Sequence, residues 1–278
     1  MEDHTASSTS LGVAGLRAAH QLIDGPPALF TDPVILQLLG PDRVARIKGN
    51  PGVFRKPALR YLRSHVVLRS RYAEDRLKEA YAGGIRQYIL LGAGLDTFAW
   101  RQPPGMEDLR IFEVDHPATQ AQKRSDLAGA GIPMPENIRW VPVNFESASL
   151  KEELDRHGFD WTKPCFISWL GVMVYLSMEA IDSILGLVVS LAPTSRIVFT
   201  FTQQRGYEGP DSIAARAAAG GEPWRTFFSP EELTDKLRGL GFSGISILDP
   251  EEARRQYYSD RTDDLPPPDR ASICLAIV

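Results

Sequence analysis

Cysteine is scarce: the 278 residues hold only Cys165 and Cys274. They stand far apart, each inside an apolar run, so neither a disulfide framework nor a zinc-binding spacing can be built and both are expected in the core. Long hydrophobic runs are also missing. The longest, such as residues 184–192, fall far short of the roughly 20 residues that span a bilayer, and no membrane association is expected. Positive charge is not in excess: 31 Lys and Arg stand against 35 Asp and Glu, a formal net charge of −4. That leaves no broad basic field to hold a phosphate backbone, so nucleic acid is not an expected partner. No internal period of about 20 to 50 residues recurs, which excludes solenoids and propellers. Residues 1–10 are polar, with no basic segment leading into an apolar run. They are expected to be disordered and not a signal peptide, with the cytoplasm as the expected compartment.

What is present is a composition of 43% hydrophobic and 24% charged residues, enough to bury a full-sized core. The first eighty residues read as helices, at 12–23, 33–39 and 59–81, broken by Gly25-Pro26-Pro27 and Asn50-Pro51-Gly52. From there short apolar runs alternate with polar or helical stretches: 88–91, 110–114, 138–143, 165–169 and 196–201. Such runs are typical of strands buried on both faces. The expected fold is therefore α/β: a doubly wound, Rossmann-like, mostly parallel sheet (83–278) behind an N-terminal tail and helical cap (1–82). Alternation fails over 204–226, which reads as a lid insertion. Ser229-Pro230-Glu231-Glu232 then carries the signature of a capped helix running to about Gly241. Two last strands, at 243–248 and 272–278, complete the sheet, the C-terminal one antiparallel. The connection at 249–270, with Pro266-Pro267-Pro268, is expected to be too polar for the core.

The chemistry centres on Tyr88-Ile89-Leu90-Leu91-Gly92-Ala93-Gly94-Leu95-Asp96-Thr97. An apolar strand that runs straight into Gly-Ala-Gly turns sharply where a ligand must approach the backbone without meeting a Cβ. The second strand ends at Asp115, 23 residues after Gly92, where a carboxylate can accept hydrogen bonds from both hydroxyls of a ribose. Two cofactors use this arrangement. A dinucleotide site needs a third glycine three residues after the second, but that position is Thr97, and Asp96 would face a pyrophosphate with like charge. The ammonium and sulfonium of S-adenosylmethionine suit Asp96, so a methyl donor is expected and a nicotinamide dehydrogenase is the alternative. Asp96 as a cap for the following amides is a second reading that can hold at the same time.

The ordered set Leu68-Arg69-Ser70-Arg71-Tyr72, Gly92-Ala93-Gly94-Leu95-Asp96-Thr97 with Trp100-Arg101, Glu113-Val114-Asp115-His116-Pro117 with Lys123, Val143-Asn144-Phe145 and Ser168-Trp169-Leu170-Gly171-Val172 leading to Tyr175 resembles the leucine carboxyl methyltransferase family, in its bacterial S-adenosylmethionine-dependent and polyketide O-methyltransferase branch. The resemblance implies a class I methyltransferase fold and S-adenosylhomocysteine as coproduct. It implies that Arg69 holds the donor's carboxylate, a task suited to a planar, permanently charged fork. Without the resemblance, Arg69 and Arg71 read as a solvated helix face. It further places Gly92, Ala93 and Gly94 against the methionine and ribose, Asp115 at the ribose hydroxyls, and Asn144 and Phe145 at the adenine, with His116 beside Asp115 counted among the donor-binding residues or holding the end of the second strand. Trp169 and Leu170 fall near the donor's methionine end. Relatives often carry glutamate at the position of Leu170, so that role is not carried over.

Methyl transfer from cationic sulfur works largely by alignment and exclusion of water. A carboxylate acceptor needs no base; a hydroxyl would benefit from one, and His116 is the candidate, with Tyr175 lining the acceptor pocket. No local cluster of carboxylates suggests a metal. The expected function is O-methylation of a small-molecule carboxylate or hydroxyl, of polyketide type. A protein C-terminal carboxyl methyltransferase and a catalytically silent donor-binding module are the alternatives, and monomer and homodimer are both open.

Overall fold

The computed structural model describes residues 8–204 and 213–278. Residues 1–7 of the expected tail and 205–212 of the expected lid lie outside the described residues. Ser8, Thr9 and Ser10, expected as tail, already belong to the first helix, α1 (Ser8–Ile23). α2 (Pro33–Gly49) is capped by Asp32, whose Oδ1 accepts a 3.0 Å hydrogen bond from Ile35 N. Its helical path breaks at Gly40, φ +75°, just before Pro41, where the 33–39 pattern ends and proline cannot donate to the helical ladder. One turn, α3 (Pro51–Phe54), leads into the long α4 (Pro57–Ala82).

The strands are β1 (Gln87–Leu91), β2 (Arg110–Asp115), β3 (Ile138–Pro142), β4 (Phe166–Trp169), β5 (Arg196–Thr200), β6 (Gly244–Ile247) and β7 (Ile273–Ile277). They form one seven-stranded sheet in the order β3-β2-β1-β4-β5-β7-β6. The pairs from β3 through β5 are parallel, and β7 runs antiparallel to both β5 and β6. All five residues of β1 are buried, because alternate side chains serve two different cores. Ile89 and Leu91 pack with α6 (Leu150–Arg156), α7 (Met178–Val189) and α9 (Pro230–Leu240). Tyr88 and Leu90 pack on Leu68, Tyr72 and Leu77 of α4. α5 (Pro117–Gly129) meets α1 and α2 in a third cluster through Leu127. α9 starts with the expected capping box, Ser229 with Glu232, and ends at Gly241 with φ +101°. Cys165 and Cys274 are both fully buried. Among the described residues no helix is long and apolar enough to cross a membrane.

The connection at 249–270 departs from expectation. α10 (Pro250–Ala253) continues into a π turn, Arg254–Tyr258, that puts Tyr257 and Tyr258 side by side in the core against α4, with Ala253 and Leu265. Arg254, Arg255 and Gln256 face solvent. The polar residues of the segment hide this buried tyrosine pair in the sequence.

Candidate functional site

The chain reverses direction across the sheet between β1 and β4. At such a switch point the loops leaving the two strands diverge and open a crevice beyond their carboxyl ends. A cavity of about 470 Å³ lies there. Its wall comes from the turn after β1, the end of β2, the segments after β3 and β4, and from Arg69 and Ser70 on α4. Thr9, Ser10, Val13 and Arg17 of α1, and Gly221, Glu222, Pro223 and Arg225 after α8 (Ile213–Ala219), line the rest. Glu222 accepts hydrogen bonds from the Thr9 backbone N–H, at 3.1 Å, and from the Thr9 hydroxyl, joining the two covering segments.

Every predicted binding residue but one lines this cavity: Arg69, Gly92, Ala93, Gly94, Asp96, Asp115, His116, Asn144, Phe145 and Leu170, together with Tyr175. Trp169 does not. Alternation along β4 turns its ring away from the cavity, into the core beside Phe199, where it is fully buried. Gly92 has φ +68°, and a Cβ there would stand 2.3 Å from Val172 Cγ2, so side chains are excluded on both counts. Its N–H and that of Ala93 donate to Val114 O, at 2.8 and 3.1 Å, tying the turn to β2. Asp115 accepts from Gly94 N at 2.5 Å and from His116 N at 2.6 Å. Burial nevertheless pushes its carboxyl above the usual range, against the pull of those amides.

Asp96 accepts from Phe98 N at 2.7 Å, satisfying one free amide of a single 3₁₀ turn, Phe98–Trp100, whose N-cap residue is Thr97. Its other oxygen faces Arg17 at 3.7 Å. The residue in the third-glycine position, Thr97, donates to Asp32 Oδ1 at 2.7 Å and accepts from Arg101 Nε at 2.9 Å. Arg101 is in turn clamped by both oxygens of Glu74. His116 is the N-cap of α5, its Nδ1 accepting from Ala118 N at 3.3 Å. Asn144 Oδ1 accepts from Glu146 N at 3.1 Å, bending the chain after β3.

Arg69 is only 9% exposed, and among the described residues no hydrogen bond or ion pair engages its guanidinium. Gly171, at φ +76°, makes room for it, since a Cβ there would lie 2.5 Å from Arg69 Nη1. A buried cation left without a protein partner marks where an anionic group of a ligand fits. Tyr175 stands in the same wall, its hydroxyl pKa pushed up chiefly by burial. Among the described residues no group of three or more His, Cys, Asp or Glu side chains is placed to hold a metal ion.

Sequence reasoning missed the residues that α1 and the stretch after α8 bring to the cavity. Arg17 is 4% exposed and donates to Leu95 O in the glycine turn. Its signal was visible: a single arginine within Gly-Val-Ala-Gly-Leu-Arg-Ala-Ala, a helix of small residues whose neighbours Ala14, Ala18 and Ala19 are completely buried.

A mostly parallel sheet ending in a reversed C-terminal strand, with a glycine turn, an acid at the end of β2 and an arginine without a partner among the described residues around the switch-point cavity, defines an S-adenosylmethionine-dependent methyltransferase. The chain belongs to the leucine carboxyl methyltransferase family, whose sequence model matches residues 10–189. It is 30% identical to a Bacillus subtilis protein, YktD, named as an S-adenosyl-L-methionine-dependent methyltransferase, over 95% of each chain. A Mycobacterium marinum protein of the same description is 32% identical over 79% of this chain and 72% of its own. Two solved structures share the fold. One, described as a methyltransferase from Thermobifida fusca YX, has a TM-score of 0.55 at 20% identity, covering 87% of this chain and 91% of that one. The other is a DUF574 family protein from Streptomyces avermitilis, with a TM-score of 0.54 at 17% identity, covering 99% and 98%.

Proposed function

We propose that this methyltransferase acts on oxygen and that its acceptor is a small-molecule carboxylate. Arg69 holds the donor's carboxylate, the Gly92-Ala93-Gly94 turn its methionine and ribose, Asp115 the ribose hydroxyls, and Asn144 with Phe145 the adenine. When bound, S-adenosylmethionine supplies a methyl on cationic sulfur; the carboxylate oxygen that takes it becomes a neutral ester, the sulfur keeps the bonding pair, and no proton moves.

The observation behind a carboxylate acceptor is how the cavity wall uses its acids. Asp96, Asp115, Glu146 and Glu222 each already accept hydrogen bonds from protein donors: Phe98 N, Gly94 N and His116 N, Ser177 N and Oγ, and Thr9. His116 commits Nδ1 to its cap, and burial keeps the Tyr175 proton in place. A hydroxyl acceptor asks for a group free to receive its proton. A carboxylate, ionised above roughly pH 5, does not.

The test uses S-adenosylmethionine tritiated in the methyl group, with a panel of small carboxylic acids and phenols. Label in the small-molecule filtrate that mild base releases as methanol is the expected result. Base-stable label in the filtrate overturns the carboxylate in favour of a hydroxyl, and label held on added protein overturns the small molecule. No transfer by a protein that binds S-adenosylhomocysteine leaves a silent binding module.

A further inference from the structure

Among the described residues, three arginines line the switch-point cavity: Arg17, Arg69 and Arg225. Arg17 is engaged by the protein, donating to Leu95 O and lying 3.6 Å from Asp32 and 3.7 Å from Asp96. Arg69 goes to the donor's carboxylate. The side chain of Arg225 makes no hydrogen bond or ion pair among the described residues. Two acids of the same wall are turned elsewhere: Glu222, three residues before it, to Thr9, and Glu146 to Ser177. The backbone fixes where this arginine stands. Arg225 N and Thr226 N both donate to Val174 O, at 2.7 and 3.3 Å, and the buried Thr226 hydroxyl donates to Leu176 O at 2.7 Å. The two acceptors flank Tyr175, so the segment is pinned against that residue. Arg69 and Tyr175 also line a smaller space behind them; Trp224 lines that space while Arg225 lines the donor's cavity. Successive side chains therefore serve opposite sides of one wall.

We infer that Arg225 seats the acceptor's carboxylate and makes the enzyme prefer a small carboxylic acid over its own methyl ester. The inference rests on the carboxylate reading of the acceptor and on Arg69 being given to the donor. An anionic acceptor needs a cation in the cavity that neither the fold nor the donor already uses, and Arg225 meets that condition. Its anchor at Val174 sets it next to Tyr175, in the wall that Arg69 shares, on the side of the cavity where the donor's methionine belongs. Engaged through one oxygen, the acceptor's carboxylate keeps the other for the methyl. Arg225 is exposed, and a solvated guanidinium gains little from an ion pair. An acceptor that seats in the cavity displaces water from around it, and the charge-assisted hydrogen bond strengthens as the local dielectric falls. Methylation then turns the anion into a neutral ester, which keeps the acceptor's body but offers Arg225 no charge. The same side chain thus favours entry of the acid and departure of the product.

Benzoate, phenylacetate and hexanoate, each beside its methyl ester, serve as probes, titrated by calorimetry into the full chain saturated with S-adenosylhomocysteine. At least one acid is expected to bind the parent, about tenfold or more tighter than its ester, a difference of about 1.4 kcal/mol. Arg225→Met should erase that preference by weakening the acid about tenfold, while the ester and S-adenosylhomocysteine keep their affinities within about twofold. Arg225→Lys should restore part of it, since lysine keeps the charge without the planar fork. The side chain is exposed and the segment is anchored through backbone groups and Thr226, so both variants should fold. A merely structural role for Arg225 would weaken acid and ester alike. That outcome, a preference left intact in Arg225→Met, or failure of all three acids to bind the saturated parent overturns the assignment of Arg225 alone. Base-stable label in the tritium experiment refutes the carboxylate reading beneath it, and absence of S-adenosylhomocysteine binding by the parent refutes the donor reading.

Discussion

A guanidinium that is 9% exposed with no carboxylate paired to it among the described residues needs an account of how it stays charged. Burial lowers the Arg69 pKa to about 10, helped by Arg17 and opposed by Tyr175, so the group remains a cation at neutral pH. An isolated buried charge costs several kcal/mol, and a ligand carboxylate relieves that cost with charge-assisted hydrogen bonds. Arg69→Met should therefore weaken S-adenosylhomocysteine binding by about 10- to 100-fold, the equivalent of about 1.5–3 kcal/mol for a bond to a charged group. Gly171→Ala tests position rather than charge. Its Cβ would fall 2.5 Å from Nη1, and alanine is strained at positive φ, so the fork must shift. Calorimetry should show a comparable loss for Gly171→Ala with the arginine still present; parent-like affinity would mean that the observed pose of Arg69 does not matter for the donor.

At the scale of elements, the helices that cover the site are held to the body by buried ion pairs. Arg63 of α4, fully buried, donates to both oxygens of Asp24 at 2.8 and 2.7 Å, and to Phe54 O at 2.5 Å. His20 of α1 meets the same aspartate at 2.8 Å, while its Nε2 accepts from Leu29 N and Phe30 N. Burial raises the Asp24 pKa, but His20 and Arg63 outweigh it and hold the carboxyl below its usual range. Arg63→Met leaves Asp24 buried without its main partner and should cost about 3–5 kcal/mol in urea unfolding. Hydrogen exchange should rise in residues 8–54 well before it rises in the sheet; an even rise across the chain would show that the pair does not specifically hold the cover. The elements themselves were legible. Parallel strands buried on both faces read as apolar runs, and Pro and Gly marked helix ends at Pro33, Pro230 and Gly241, while Gly40 marked a break inside α2 rather than its end. The 249–270 segment was not, because a π turn has no sequence period that would reveal Tyr257 and Tyr258 as neighbours in the core.

Across the whole molecule, the cavity wall was legible where its residues follow directly from strand ends. Gly92, Gly94, Asp115 and Asn144 stand next to apolar runs, so their placement follows from the order of the strands. Other motif residues proved to support the turn from behind. Lys123 and Glu113 pair in the core beside Trp100 and Trp140, and burial lifts the Glu113 carboxyl to about 7 against the pull of Lys123. Arg17 and Glu222 reach the cavity from segments some two hundred residues apart, and only tertiary docking brings them together. That docking makes ligand and cover a linked system: α1 contacts the cavity through Thr9, Ser10, Val13 and Arg17 and has few other anchors on the sheet. A ligand that binds only the folded chain at a hundredfold excess over its Kd adds about 2.7 kcal/mol of stability. For a chain of this size that corresponds to a rise of roughly 5–10 °C in the unfolding midpoint. S-adenosylhomocysteine should produce such a rise and protect the 8–23 segment from limited proteolysis, while NAD should do neither. Asp115→Ala should abolish most of both effects at the same ligand concentration. A midpoint that rises while 8–23 is cut as fast as before would separate the two, placing the donor in the crevice but leaving α1 free to open over it.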